Sequence, residues 1–356
     1  MSAVTRRQFL ARGGMLAGTL VLPGSLPLPS GPPSLRKLID IGPGGVIDPG
    51  SAQDYRAWSN RAYFAETRTG WIRLWADWPS LQPSREFAID DPRSPGFRSF
   101  VSLDEQIHAA RADGLRVMLL AYRHPSWANG SASAYRIPAE GYPLDGAWSQ
   151  FFQWLLRRYA GTGDAFELVN EPNHQLQPQR GIASAVAQLM QTAQAVSARL
   201  GHPALLLAPS AADVREVDSF TGSLLDALDA RGYVPHAQQA WSHHNYSDVE
   251  ARSTARLDAV RARLAGRWKG RPDVFITEGG ARLEKMRRLY PGEDPMAAQA
   301  ACLEAAWSSH SKAGVAMLAQ YLLYADPNYD CGLLEPAPAT VKRPAYATWS
   351  SFPLRA

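Results

Sequence analysis

Two cysteines in 356 residues cannot make a disulfide framework, and the length alone rules out the small stapled scaffolds. Net charge is scarce too: Lys and Arg number 37 against 33 Asp and Glu. Arg6, Arg7 and Arg12 supply three of the four excess charges within the first 30 residues, where no acid occurs. The remainder is close to neutral, so a nucleic-acid partner is not expected. Past the N-terminal segment no apolar run approaches the ~18 residues of a membrane span, so no stable membrane anchor is expected. Internal repeats are absent, as are an HExxH motif and any zinc-type cysteine spacing. Disorder is excluded from the other side, because 46% hydrophobic residues can offset the entropy of ordering the chain.

The first segment present is an address. Thr5-Arg6-Arg7-Gln8-Phe9-Leu10 precedes an apolar stretch from Met15 to Leu28 that Pro23 and Pro27 interrupt. It resembles a twin-arginine signal, which implies export of an already folded protein by the twin-arginine machinery. Residues 1–34 are therefore expected to be signal and linker, and 35–356 a single domain.

That domain alternates short apolar runs with longer amphipathic segments. The expected strands are Leu38–Gly42, Trp71–Trp78, Leu115–Arg123, Phe166–Glu171, Ala204–Pro209, Gln238–Tyr246, Val274–Glu278 and Val315–Leu323. Several are apolar throughout, as parallel strands covered on both faces must be. Eight such units predict an α/β protein, a single (β/α)8 TIM barrel. A doubly wound sheet would need a phosphate loop after its first strand, and Gly42-Pro43-Gly44-Gly45 lacks that fingerprint.

In a barrel the chemistry sits where strands end. The fourth expected strand closes Phe166-Glu167-Leu168-Val169-Asn170-Glu171-Pro172-Asn173, and the seventh closes Thr277-Glu278-Gly279. A carboxylate closing an apolar strand is costly unless paired or used. Two of them across a barrel mouth suit retaining glycoside hydrolysis, in which one carboxylate attacks and the other transfers the proton. The sixth strand ends Ser242-His243-His244-Asn245-Tyr246, where alternation points His244 and Tyr246 together and His243 away. Adjacent histidines that diverge do not build a metal site, so neither metal nor cofactor is expected.

Taken together, these strand ends resemble clan A of the retaining glycoside hydrolases, families 5 and 39 in particular. The resemblance implies Glu171 as acid/base and Glu278 as nucleophile, with Asn170 on the sugar 2-hydroxyl. It implies that Arg73 and Tyr246 orient Glu278 and that His124 and His244 contact the sugar, making a carbohydrate the partner. Trp75 is a candidate sugar platform. Family 5 usually closes its eighth strand with a stacking Trp; this chain offers Gln320, Tyr321 and Tyr324 instead. A transglycosylase would use the same residues, and a non-catalytic carbohydrate-binding barrel would keep the shape without turnover. Strict alternation places Asn170 and Glu171 on opposite faces, so an irregularity is expected at the end of that strand. An Arg73 that merely bridges floor carboxylates such as Asp40 is the structural alternative. The loop Ser126–Leu144 is expected to wall the cleft, and Cys302 and Cys331 could bridge in an oxidising compartment.

Overall fold

The computed structural model describes residues 35–353 except 161–163, 202–203, 215–216, 237–238, 272 and 339. The expected twin-arginine segment therefore lies outside the described residues. Eight parallel strands are present: β1 Arg36–Asp40, β2 Trp71–Asp77, β3 Arg116–Tyr122, β4 Ala165–Glu167, β5 Leu205–Leu207, β6 Trp241–His244, β7 Val274–Glu278 and β8 Met317–Tyr321. Their order is β5-β4-β3-β2-β1-β8-β7-β6. The ring closes between β5 and β6 through the isolated bridges Leu207↔Ala240 and Ala211↔His243. Ala208 N donates to Ala240 O at 2.9 Å there, and Ala240 N to Leu206 O at 3.2 Å. This is the (β/α)8 barrel that the alternation predicts, with β4 and β5 each cut to three residues.

Helices between the strands bury the faces that their spacing predicts. In Ala147–Tyr159, Trp148, Phe151, Phe152, Leu155 and Leu156 all lie inside. The helix Ile182–Leu200 stops at Gly201, whose φ of +67° a side chain would resist. In Pro295–Lys312, the Asp294 carboxylate caps the start by accepting from Met296 N and Ala297 N. No helix among the described residues is long and apolar enough to cross a membrane.

The period of two along each strand sorts side chains into layers. Ile39, Ile72, Leu74, Val117, Leu119, Phe166, Val274 and Leu318 face out and join the large core beneath the helices. Leu38, Trp71, Met118, Ala165, Phe275 and Met317 face in and fill the barrel floor. Two residues further along their strands, Asp40, Arg73 and Glu167 follow Leu38, Trp71 and Ala165 on the same face. A charged layer thus lies directly on an apolar one. Above it Trp75, Leu120 and Tyr122 form a small upper cluster.

Candidate active site

Arg73 is wholly buried and is the hub of that charged layer. Its Nη1 donates to Asp40 Oδ2 and to Glu278 Oε1, each at 2.5 Å; its Nε donates to Glu167 Oε2 at 2.7 Å, and its Nη2 to Asn170 Oδ1 at 2.8 Å. Both sequence readings of Arg73 are therefore present in one side chain, since it holds the floor carboxylate Asp40 and touches Glu278. One guanidinium faces three buried carboxylates here, and such a set is held in place only by its mutual bonds.

Two local irregularities bring the outer carboxylates in. After Glu167 the chain leaves the ladder, Asn170 re-pairs with Ser210, and Glu171 takes a left-handed conformation with φ 42° and ψ 54°. A non-glycine residue held there costs on the order of 1–3 kcal/mol. The expected irregularity is thus a left-handed turn, and it lets both Asn170 and Glu171 reach the barrel axis. On β7 the register with β6 slips: His243 pairs Ile276 while His244 pairs Glu278. Thr277 is the extra residue, so Thr277 and Glu278 both turn inward.

His244 joins the two glutamates, with Nδ1 2.8 Å from Glu171 Oε1 and 3.4 Å from Glu278 Oε2. Tyr246, the first residue of the helix Tyr246–Ala251, donates its hydroxyl to Glu278 Oε2 at 3.0 Å. These three donor atoms of Glu171, His244 and Glu278 lie within 4.8 Å of one another, the one group among the described residues spaced to hold a metal ion. Arg73 and Tyr246 already occupy the Glu278 oxygens and His244 Nδ1 is turned to Glu171, while His244 Nε2 is buried with no hydrogen-bond partner among the described residues; we read the trio as a proton-sharing set.

Burial pushes Glu278 up to about 7 against the pull of His244 and Arg73, and Asp40 and Glu171 push the same way. Burial also raises Glu171, but the His244 hydrogen bond and charge outweigh it and leave that carboxyl below its ordinary value. His244 is lowered by burial yet ends raised, because Glu278 and Glu171 favour its cation. Asp40 ends raised by burial despite Arg73. Glu167 ends lowered, because the Arg73 and His244 charges overcome burial.

The structure brings together Glu171, Glu278, Arg73, Asn170, His244 and Tyr246, with Trp75 at their edge. The Trp75 ring lies 4.7 Å from the Arg73 guanidinium, and its Nε1 donates to Asp40 Oδ1 at 2.8 Å. It is 4% exposed, so it packs the charged layer and offers no open platform. His243 faces away and is buried, which pushes it down to about 3.

Three expected residues are not brought there. Gln320 has the parity of Leu318, opposite to Met317, Ala319 and Tyr321, so its amide turns outward to the Tyr321 and Cys331 carbonyls at 3.0 and 2.5 Å. Tyr324 lies beyond the strand, where its hydroxyl donates to Asn60 Oδ1 at 2.9 Å. His124 follows the left-handed Arg123 and is buried against Trp78, with Nε2 3.2 Å from the Tyr142 hydroxyl. Burial pushes it down to about 4. The loop Ser126–Leu144 sends only part of itself to the mouth: Tyr135 meets the Tyr122 hydroxyl at 2.9 Å, while Tyr142 enters the core. Cys302 and Cys331 are both free and buried, so the bridge is absent.

Sequence reasoning missed Glu167, although it shares parity with Ala165 and interrupts an apolar strand. It also missed Tyr329, from the loop after β8. The Tyr246, Tyr321 and Tyr329 rings pack edge to face at 4.9–6.2 Å, and Arg282, bound to Glu250, lies over Tyr329 at 4.9 Å.

No protein-family model matches the chain, and no curated protein does. Solved structures do. An endo-beta-1,4-glucanase of Xanthomonas axonopodis pv. citri, solved as a triple mutant, aligns at TM-score 0.64 and 19% identity over 89% of this chain and 98% of its own. A lichenase of glycoside hydrolase family 5 from Caldicellulosiruptor sp. F32 aligns at 0.58 and 16%, over 89% and 93%. An exo-beta-1,4-mannosidase from Opitutaceae bacterium strain TAV5 aligns at 0.62 and 13%, over 89% of this chain and 58% of that one. At these identities the likeness establishes the shared barrel.

Proposed function

We propose that this barrel is a retaining glycoside hydrolase, exported by its Arg6-Arg7 segment, with Glu278 as nucleophile and Glu171 as acid/base. The observation that carries the reading is the approach of the two carboxylates, whose oxygens lie within 4.8 Å. Retaining enzymes keep their carboxyl groups ~5–5.5 Å apart, whereas inverting ones need about 6.5–9.5 Å to admit a water.

The surroundings divide the labour. Glu278 accepts from Arg73 and Tyr246, bonds that hold it still and favour its ionised form. Among the described residues Glu171 is hydrogen-bonded to one cationic group, the His244 imidazole, and its other oxygen accepts from Gln175 Nε2 at 3.2 Å. The protein's own groups set a proton balance that is the reverse of what the reaction needs, with Glu278 held up and Glu171 held down. An arriving sugar corrects it. Positive charge developing at the anomeric carbon favours ionised Glu278, and the leaving oxygen favours a proton on Glu171. His244 can return that proton across 2.8 Å. Glu278 then bonds to the anomeric carbon as the glycosidic C–O bond breaks, and Glu171 protonates the departing oxygen. Water attacks next; Glu171 takes its proton and Glu278 is released. Asn170, whose Oδ1 is fixed by Arg73, presents its amide to the sugar beside Glu278.

The test is mass spectrometry after exposure to a panel of 2-deoxy-2-fluoro glycosides, which slow release of the covalent intermediate. An adduct on the peptide containing Glu278 is the expected result and also identifies the sugar. Turnover of glycans by Glu278→Ala at the wild-type rate would refute the assignment.

A further inference from the structure

We propose that Glu167 is a positioning residue: it clamps the Arg73 guanidinium to the Thr277 bulge and thereby aims the Glu278 carboxylate. This rests on Glu278 being the attacking group.

Glu167 is the last residue of β4 and is wholly enclosed. A buried carboxylate is a poor way to gain stability, since apolar side chains of similar volume do as well or better. Its contacts all lead toward one place. Oε2 accepts from Arg73 Nε at 2.7 Å and lies 2.6 Å from Nη2, so it sets the plane of the guanidinium whose Nη1 reaches Glu278. Oε1 accepts from Thr277 Oγ1 at 2.8 Å, which holds inward the residue preceding Glu278. Ser242 Oγ is a weaker third donor at 3.1 Å, because it also bonds the Ala208 carbonyl. Side chain and backbone of the nucleophile are therefore both referred to one carboxylate. Asp40 shares the first task but not the second: its other oxygen is taken by Trp75 Nε1 and Gly42 N.

The charge of Glu167 matters as well as its shape. Asp40 and Glu167 together over-neutralise Arg73, so Arg73 cannot hold Glu278 fully ionised. The other charged groups facing Glu278 are Glu171 and His244. Tyr246, Tyr321, Tyr329 and Cys331 face it as neutral groups, their own ionisation pushed up first by burial. Removing the Glu167 charge returns Arg73 to Glu278, so the Glu278 titration moves to lower pH.

Glu167→Gln keeps the shape, because Thr277 and Ser242 can accept from the new amide. The experiment follows the Glu278 carboxyl by carbon-13 NMR in glutamate-labelled protein, assigned by its loss in Glu278→Gln, together with kcat and KM. The expected result is a midpoint lowered by about one pH unit, with kcat down on the order of 10- to 100-fold and KM within about threefold. An unchanged midpoint and kcat, with only a lower melting temperature, would reduce Glu167 to a structural role and overturn the proposal. If Glu167→Gln does not fold, Thr277→Val and Thr277→Ser decide. Loss of kcat in the first with recovery in the second supports the clamp, and equal rates in both sink it. A wild type that turns over no glycoside would defeat the proposed function, yet the NMR midpoint would still report on Glu167.

Discussion

Arg73→Met removes the only guanidinium from a layer in which Asp40 and Glu167 have no solvent exposure and Glu278 has 5%. Breaking a buried ionic set from one side costs about 3–5 kcal/mol near neutral pH. That loss should depend on pH, and Glu167 dictates how. In the wild type its folded-state pKa lies below the ordinary value, so it adds stability above pH ~4.3 that is lost only as pH falls through the lowered value. Without Arg73, burial, the largest influence on Glu167, is opposed chiefly by the His244 charge and the Thr277 hydrogen bond, and the shift reverses sign. The folded variant then carries a proton that the unfolded chain has released, and its stability falls as pH rises. One carboxyl so reversed changes the loss by ~1.4 kcal/mol per pH unit, or about 2.7 kcal/mol between about pH 5 and pH 7. Urea unfolding of both proteins at these two pH values, followed by tryptophan fluorescence, measures it. A variant equally destabilised at both would refute the account, since the cost would then be one of packing rather than charge.

Glu278→Gln should stabilise the protein. A carboxyl raised to about 7 costs folding free energy that is absent below its unfolded pKa and complete above pH ~7, so the variant gains up to about 3 kcal/mol near pH 8 and little near pH 4; paired thermal melts check this, and a gain independent of pH would contradict it. Tyr246→Phe deletes the 3.0 Å bond to Glu278 and should lower kcat about tenfold with KM nearly unchanged, whereas a change in KM alone would remove Tyr246 from the chemistry. Both cysteines should react with a thiol reagent in denaturant and neither in the native protein; one native-state thiol, or none after unfolding, would contradict the two buried free thiols.

Apolar runs bounded by glycine and proline are enough to place all eight strands, and alternation is enough to separate His244 from His243; Tyr246 reaches the site from the first turn of a helix beyond the strand, where alternation does not apply. Alternation also explains the errors. Gln320 sits on the outward side of β8 by the same count that sends Tyr321 inward, so its misplacement was avoidable from parity alone. Glu167 was legible on the same grounds, as a charge on the inward face of an apolar strand, four residues before Glu171. The slip at Thr277 was not legible. A bulge is chosen by the balance of several strands, and nothing in Val274-Phe275-Ile276-Thr277-Glu278 marks which residue is the extra one. Tyr329 lay beyond reach for a similar reason, since the course of the 322–343 loop decides which of its aromatics returns over the mouth.

The closure between β5 and β6 has a mechanical consequence. A hoop yields at its thin joints, and this one is held by two isolated bridges, as lightly laced as β7 against β8, where the remaining neighbours have ladders. Glu171 is moored on one bank, its amide donating to Ser210 O just after β5, while His244 hangs on the other as the last residue of β6. Their 2.8 Å contact therefore spans the joint and acts as its strain gauge. Thermal breathing of the ring should stretch that proton path before it disturbs the grip of Arg73 on Glu278, and faster amide exchange at Ala208 and Ala240 than at the centre of β2 would register it.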